Sequence, residues 1–197
     1  MSNNVPSYKW NQFYWTNIFT KEEIAYINKH IERNFGGYES TEKGAKDGDG
    51  NLIKKVSTVK YIRYDKIESL LSGLVKHAYQ VANMDFGYTT FGPLAGQNLL
   101  HNTYESDSKD NYGWHVDNTS NATNDVKLTL IFNLSTEPYE GGEFQTWPSD
   151  YINRNSNKFN NPGTAIMFKS HILHRVTPVT SGTRKSLTMF IHGPRFQ

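Results

Sequence analysis

KSHILHRVTPVTSGTRKSLTMF, residues 169–190, decides how this chain is read. Leu173–Val179 is rich enough in β-branched and apolar side chains for a strand, Thr180–Gly182 supplies a turn, and a return strand begins near Arg184. Such a hairpin sets His174 and Arg184 on neighbouring strands, close to opposite one another. An imidazole beside a guanidinium suggests a metal ligand next to a cation that grips a carboxylate, because arginine's fork of donors matches a carboxylate.

Upstream, Gly113–Asn118 reads GWHVDN. Successive strand side chains alternate faces, so His115 and Asp117 share one face while Trp114 and Val116 share the other. The same-face Cα atoms lie roughly 6.6 Å apart, which lets both side chains lean toward one ion at bonds of roughly 2.0–2.2 Å. The pair alone leaves two readings open: polar residues on an amphipathic strand, or two of three metal ligands with His174 as the third. Two histidines, a carboxylate and an arginine together favour the second. Trp114 and Val116 are then expected to be buried behind the site and to stiffen it. His171 is three residues before His174 and faces off the metal side, and His30, His77, His101 and His192 are given no metal role.

Further strands are expected at Gln97–Tyr104, Val126–Leu134, Glu143–Trp147 and Thr164–Phe168, with the return strand running to His192. Before them, FTKEEI (19–24) starts a helix: Thr20 caps it, Glu23 completes a capping box, and Phe19 staples onto Ile24. Ile24, Ile27, Ile31 and Phe35 keep the helical period until Gly36–Gly37. A second helix is predicted over about Lys66–Asn83. This order predicts a mainly β, α+β chain, a sandwich or barrel with two helices packed against it. Residues 40–55 (STEKGAKDGDGNLIKK) read as a flexible loop that can close over a site. Its DGDGN is no calcium loop, since Leu52 and Thr58 stand where glycine and glutamate are required.

A chain of 197 residues is expected to form one domain. Lys and Arg total 21 against 19 acidic residues, a net charge of +2 that offers no basic footprint for a nucleic-acid partner. The absence of cysteine excludes disulfide scaffolds, thiolate zinc sites and thiol nucleophiles, so a metal site must use nitrogen and oxygen. MSNNVPSYKW lacks a basic start with an apolar core, and no run reaches the roughly 20 apolar residues of a span. A soluble, cytoplasmic protein with no membrane partner is expected.

HVDN followed by LHRVTPVTSGTR, with EGGEF (140–144) between them, resembles the Fe(II)- and 2-oxoglutarate-dependent dioxygenases, especially the prolyl 4-hydroxylase-like, PKHD-type hydroxylases. The resemblance covers about half the chain, residues 95 to 192, and extends more weakly to FTKEE and Ala82–Asn83. It implies one domain over 1–197, with 1–95 as helical support and early strands. Residues 96–193 then form a double-stranded β-helix (jelly-roll) core, with the N-terminal helices packed on one sheet. His115, Asp117 and His174 are implied as Fe(II) ligands, and Arg184 as the partner of the far carboxylate of 2-oxoglutarate. Thr188, four residues along the same strand, matches the family's helper for that carboxylate. Tyr104 matches a cosubstrate-binding tyrosine, although the connection to His115 is one residue longer here. Asn133 stands where several relatives carry a second tyrosine, and is carried over as a cosubstrate contact.

The resemblance also implies Fe(II), 2-oxoglutarate and O2 as cofactors, with ascorbate as an accessory. The implied reaction hydroxylates an unactivated C–H bond, of a prolyl or similar residue in a protein or peptide, and releases succinate and CO2. Two alternatives stay open: a hydroxylase of a free amino acid or other small molecule, and a non-catalytic β-sandwich module that holds a metal. Arg184 separates enzyme from module, because a structural metal needs no carboxylate anchor. KSLTMF after Arg184, in place of a second arginine, argues against a nucleic-acid demethylase of the same superfamily, and Asp117 argues against a halogenase. Trp147 and Tyr112 read as buried aromatics, with a substrate mouth as the alternative, and specificity is expected in loops 40–55 and 148–162.

Overall fold

Asn124–Asn133 (NDVKLTLIFN) is buried along all but its first residue, as a strand covered on both faces must be. It lies within a mainly β chain carrying two helices. A computed structural model of the chain describes residues 12–36, 39–41, 45–46, 52–53, 55–117, 123–147 and 159–195. The N-terminal decapeptide, Asn118, the loop tip at 47–51 and most of the predicted loop 148–162 lie outside the described residues.

In chain order the early elements are β1 (Gln12–Trp15), α1 (Lys21–Asn34), β2 (Glu39–Thr41), β3 (Ala45–Lys46), β4 (Leu52–Ile53), β5 (Lys55–Val56), β6 (Thr58–Arg63) and α2 (Glu68–Met84). There follow β7 (Asn98–Glu105), β8 (Asn111–His115), β9 (Asn124–Asn133), β10 (Glu140–Gly141) and β11 (Phe144–Trp147). The last are β12 (Ala165–Lys169), β13 (Leu173–Val176), β14 (Val179–Ser181) and β15 (Thr183–Pro194). A seven-stranded sheet runs β1-β12-β9-β15-β7-β6-β2, and a four-stranded sheet runs β11-β13-β8-β5.

Alternation along the strands sorts the larger sheet into two faces. Leu128, Leu130 and Phe132 of β9 and Leu187, Met189 and Ile191 of β15 pack with Ile24, Ile27 and Ile31 of α1 and Leu71, Val75 and Ala78 of α2. Each such side chain contributes about 1.5–3 kcal/mol on burial, so this face carries much of the stability. The opposite face can therefore hold polar groups. There Ile131 meets Phe144 and Phe168, while Arg184, Ser186 and Thr188 of β15 turn toward the four-stranded sheet.

The helix start is as predicted. Glu23 N donates to Thr20 Oγ1 (3.2 Å) and Thr20 N to Glu23 Oε2 (2.7 Å), a complete capping box. The second helix begins at Glu68, later than its apolar period suggests, because Tyr64–Lys66 winds as a 3-10 turn that Ile67 N closes onto Tyr64 O (2.9 Å).

The predicted hairpin of His174 and Arg184 is corrected. After β13 the chain passes Pro178, which has no N–H to extend a ladder, and Val179 N is drawn to Asp110 O (3.0 Å). Strand β14 then pairs with β10, and the chain enters the other sheet as β15, between β7 and β9. His174 and Arg184 thus stand on different sheets, not on neighbouring strands. The stretch 40–55, read as a loop, contains the antiparallel pair β3–β4, and β5 joins the four-stranded sheet beside β8.

His101 of β7 faces the helices, where its Nε2 pairs with Asn28 Oδ1 (3.0 Å) and Nδ1 has no partner among the described residues. A carbonyl oxygen only accepts, so Nε2 carries the proton. Burial, then Lys185, pushes this imidazole down to about 4, opposed by Glu32 and reinforced by Lys60. The folded value lies below the unfolded one, so the unfolded chain binds more protons between them. Stability is expected to hold above about pH 6.5 and to fall by roughly 3 kcal/mol, from this residue, on acidification to about pH 4. Denaturant curves across that window check this: a His101→Gln chain should lose less on acidification than the wild type, and an unchanged slope would count against it.

Candidate metal centre

His115 ends β8, and β8 pairs with β13 so that His115 and His174 are register partners. Asp117 follows two residues on, held by its own N–H to Ser170 O (2.9 Å). The structure brings the three predicted ligands together: one donor atom from each lies within 4.8 Å of the others. Asp117 Oδ1 is 3.6 Å from His115 Nε2, and Oδ2 is 3.4 Å from His174 Nε2.

The proton positions suit a metal. His115 Nδ1 donates to Gly113 O (2.7 Å) and His174 Nδ1 to Ile172 O (2.9 Å). Each Nε2 is then a lone pair aimed at the cluster, the tautomer a ligand histidine needs. Burial, then His174, pushes the His115 imidazole down to about 4 against the pull of Asp117. Burial would raise the Asp117 carboxyl, but the neighbouring His174, then His115 and the Thr129 hydroxyl (2.8 Å), hold it below the usual range. Two imidazole nitrogens and one carboxylate on one side of an ion are the donor set of non-haem Fe(II), and they leave coordination positions open. The residues fit that metal.

Aromatic rings keep the ligands in place. Tyr112 stacks on His115 with centroids 3.5 Å apart, and Phe168 and Phe144 flank His174 at 4.7 and 5.4 Å. The predicted backing by Trp114 and Val116 is corrected: they are 37% and 40% exposed, and Arg175 lies 4.6 Å over the Trp114 ring. Alternation put them on the far face as expected, but that face is the outer one. Trp147 is likewise exposed rather than buried, whereas Tyr112 lines the pocket.

The cluster opens into a cavity of about 130 Å³, whose wall also holds Arg184, Tyr104 and Thr188. Arg184 is 1% exposed. Its guanidinium carbon lies 5.2 Å from the Tyr104 ring and 5.7 Å from that of Phe159, and Nη1 donates to Ser186 Oγ (3.3 Å). Nε has no partner. A buried guanidinium so weakly satisfied is costly unless an anion joins it.

Asn133 is not brought to the pocket. Its Nδ2 donates to Tyr139 Oη (3.1 Å) and Phe159 O (2.8 Å), and its Oδ1 accepts from Ser135 N (3.1 Å). The amide is spent on neighbouring loops, which corrects its expected contact with the cosubstrate. Four residues escaped the sequence reading. Ser186 lies between Arg184 and Thr188 at period two, and Asn102 lies two before Tyr104, so alternation could have found both. Thr129 is a hydroxyl within Leu128–Phe132, otherwise apolar. Lys55 gave no signal.

The 2OG-Fe(II) oxygenase superfamily model matches residues 100–192. A PKHD-type hydroxylase of Shewanella oneidensis is 36% identical over 104 residues, 50% of this chain and 44% of that one. A second, from Shewanella sp. (strain MR-7), is 26% identical over 190 residues, 89% of this chain and 75% of the relative. The chain thus spans less than half of the first relative and three quarters of the second. Among solved structures, a Pseudomonas putida prolyl-4-hydroxylase superposes with a TM-score of 0.63 at 13% identity, covering 95% of this chain and 94% of that one. A viral collagen prolyl hydroxylase from Paramecium Bursaria Chlorella virus-1, solved with 2OG, gives 0.62 at 16% identity over 93% and 97%. At such identities the likeness is one of fold.

Proposed function

We propose, from the match of residues 100–192 to the 2OG-Fe(II) oxygenase superfamily model, that this protein hydroxylates an unactivated C–H bond, of a prolyl or similar residue in a peptide or protein, releasing succinate and CO2. The observation that carries the reading is the buried, unsatisfied Arg184 in the same cavity as the His115, Asp117 and His174 cluster. A module that merely stores a metal has no use for it. The names of the structural neighbours support the prolyl substrate, and one neighbour was solved with a peptide fragment of hypoxia inducible factor.

Fe(II) with 2-oxoglutarate and O2 supplies the oxidising chemistry when bound. His115 and His174, through Nε2, and Asp117, through its carboxylate, would hold the metal from one side. Arg184 takes the far carboxylate of 2-oxoglutarate, with Tyr104 and Thr188 beside it in the wall. Asn102 Nδ2 donates to Thr188 Oγ1 (3.3 Å) and turns that hydroxyl. Phe144, Phe168 and Ile131 exclude water around the ligands. We read the two sheets facing across this cavity as a double-stranded β-helix (jelly-roll) core, and the helices and early strands as its support within one domain. Ascorbate belongs in the assay as an accessory reductant. The near-neutral charge favours no nucleic-acid partner, and no helix among the described residues is long and apolar enough to cross a membrane.

Anaerobic Fe(II) with 2-oxoglutarate should give a weak visible charge-transfer band, and in air succinate should appear. A mass-spectrometric screen over prolyl peptides then looks for the gain of one oxygen atom. Neither band nor succinate would return the protein to the class of binding modules.

The glycines of EGGEF bear on Arg184. Gly142 has φ +59°, and a Cβ there would lie 2.9 Å from Arg184 Cδ and 3.0 Å from Val179 Cγ2. Gly141, at φ +68°, would drive a Cβ into Pro178 O. Gly142→Ala is expected to raise half-saturating 2-oxoglutarate about tenfold by pushing the flexible guanidinium stem aside. Gly141→Ala meets rigid backbone and should instead cost about 2 kcal/mol of stability. Cosubstrate titrations and denaturant melts of both variants separate the two effects.

A further inference from the structure

The described wall of the cavity carries one cation that neither the metal ligands nor the cosubstrate anchor uses, Lys55. It is 4% exposed and comes from β5, where it is the register partner of Tyr112. Its Nζ lies 5.0 Å from the centre of the Tyr112 ring, and that ring stacks on His115 at 3.5 Å. The ammonium is therefore no further from a ligand imidazole than those two spacings laid end to end.

A divalent ion and Arg184 together balance Asp117 and the two carboxylates of 2-oxoglutarate, so the cofactors ask no charge of Lys55. Arg184 stands on β15 of the larger sheet, whereas Lys55 stands on the edge strand of the smaller one. The two cations thus belong to different walls of one cavity. Holding an ammonium out of water is costly, and carboxylates are its natural charge-assisted partners. It has three N–H donors, so partners within the protein and a carboxylate from outside are compatible.

We propose that Lys55 grips a carboxylate of the molecule being hydroxylated, so that the substrate is an acid reacting at a carbon a few bonds from that group. This rests on the oxygenase reading above and narrows its substrate class. A free amino acid and the terminal or side-chain carboxylate of a peptide present the same chemistry, and the assay tells them apart.

The test uses the full chain with Fe(II), 2-oxoglutarate and ascorbate, and reads succinate release above the substrate-free rate. The probes are free L-proline and other L-amino acids, their primary amides, and prolyl peptides ending as the acid or the amide. Acids should reach half-maximal stimulation at concentrations about tenfold or more below their amides, the worth of one charge-assisted hydrogen bond. Lys55→Met should collapse that ratio toward one, while Lys55→Arg should keep most of it. Response to free amino acids or to peptide acids identifies the source. The wild-type comparison needs no variant and so survives one that folds poorly. No acid favoured over its amide, or a ratio undiminished in Lys55→Met, overturns the proposal. If the anaerobic charge-transfer band is present meanwhile, the oxygenase reading stands and only the role of Lys55 falls.

Discussion

Replacing Asp117, His115 or His174 by alanine is expected to abolish 2-oxoglutarate turnover. Each supplies one of three donors to the proposed ion, and a loss of only about 4 kcal/mol in holding it lowers affinity roughly a thousandfold. Asp117 has the largest effect in view, because it carries the only negative charge among the described side chains lining the cavity. Asp117→Asn sharpens the test. It keeps the shape and an acceptor for Thr129 Oγ1, now 2.8 Å away, yet removes the charge. Metal-dependent stability gives a readout separate from turnover: the wild type should gain about 2.7 kcal/mol at a metal concentration of roughly a hundred times Kd, and the variants none. Unchanged succinate release in any alanine variant would remove that residue from the ligand set.

Arg184→Met should move two measurements in opposite directions. The half-saturating concentration of 2-oxoglutarate should rise about a hundredfold or more, since a desolvated charged contact is worth roughly 2–5 kcal/mol. Arg184→Lys should recover only part of this, because an ammonium cannot reproduce the planar fork. The ligand-free Arg184→Met chain should nonetheless be more stable than the wild type. Arg184 is 1% exposed, its Nε has no partner among the described residues, and its Nη1 donates to a neutral hydroxyl. Replacing such a buried ion by an apolar side chain of similar length is often stabilising, by about 1–4 kcal/mol. Weaker cosubstrate binding together with a higher melting temperature marks a group kept for a ligand. Weaker binding with a lower melting temperature would mark Arg184 as structural.

The parts of this molecule legible from sequence are those governed by local rules. Thr20 and Glu23 announce a helix start by chemistry three residues long, and the structure shows both of its hydrogen bonds. His115 and Asp117 share a face because strands alternate, whatever surrounds them. What failed needed the third dimension. Alternation placed Trp114 and Val116 opposite the ligands, but nothing local says which face of a sheet meets water. The hairpin reading of 173–184 missed that Pro178 and β14 carry the chain from one sheet to the other, which leaves Arg184 and the three candidate ligands on different walls of one cavity. Asn133 was misplaced because its amide is claimed by Tyr139, Phe159 and Ser135, contacts that no spacing rule reveals. Lys55 enters the cavity through a strand of two residues, too short to carry a pattern.

The place of β15 has a consequence for how the chain acquires its shape. It is the last of the described strands in order, Thr183–Pro194, yet it fills the middle of the larger sheet, bonded to β7 on one side and β9 on the other. A nascent chain that has not yet delivered it leaves those two strands with exposed edges and nothing between them. Pairings this distant along the chain form slowly, and the waiting edges are open to association with other copies. Assembly during synthesis is therefore expected to stall until residue 194 clears the ribosome, and Arg184 arrives on the same segment that completes the sheet.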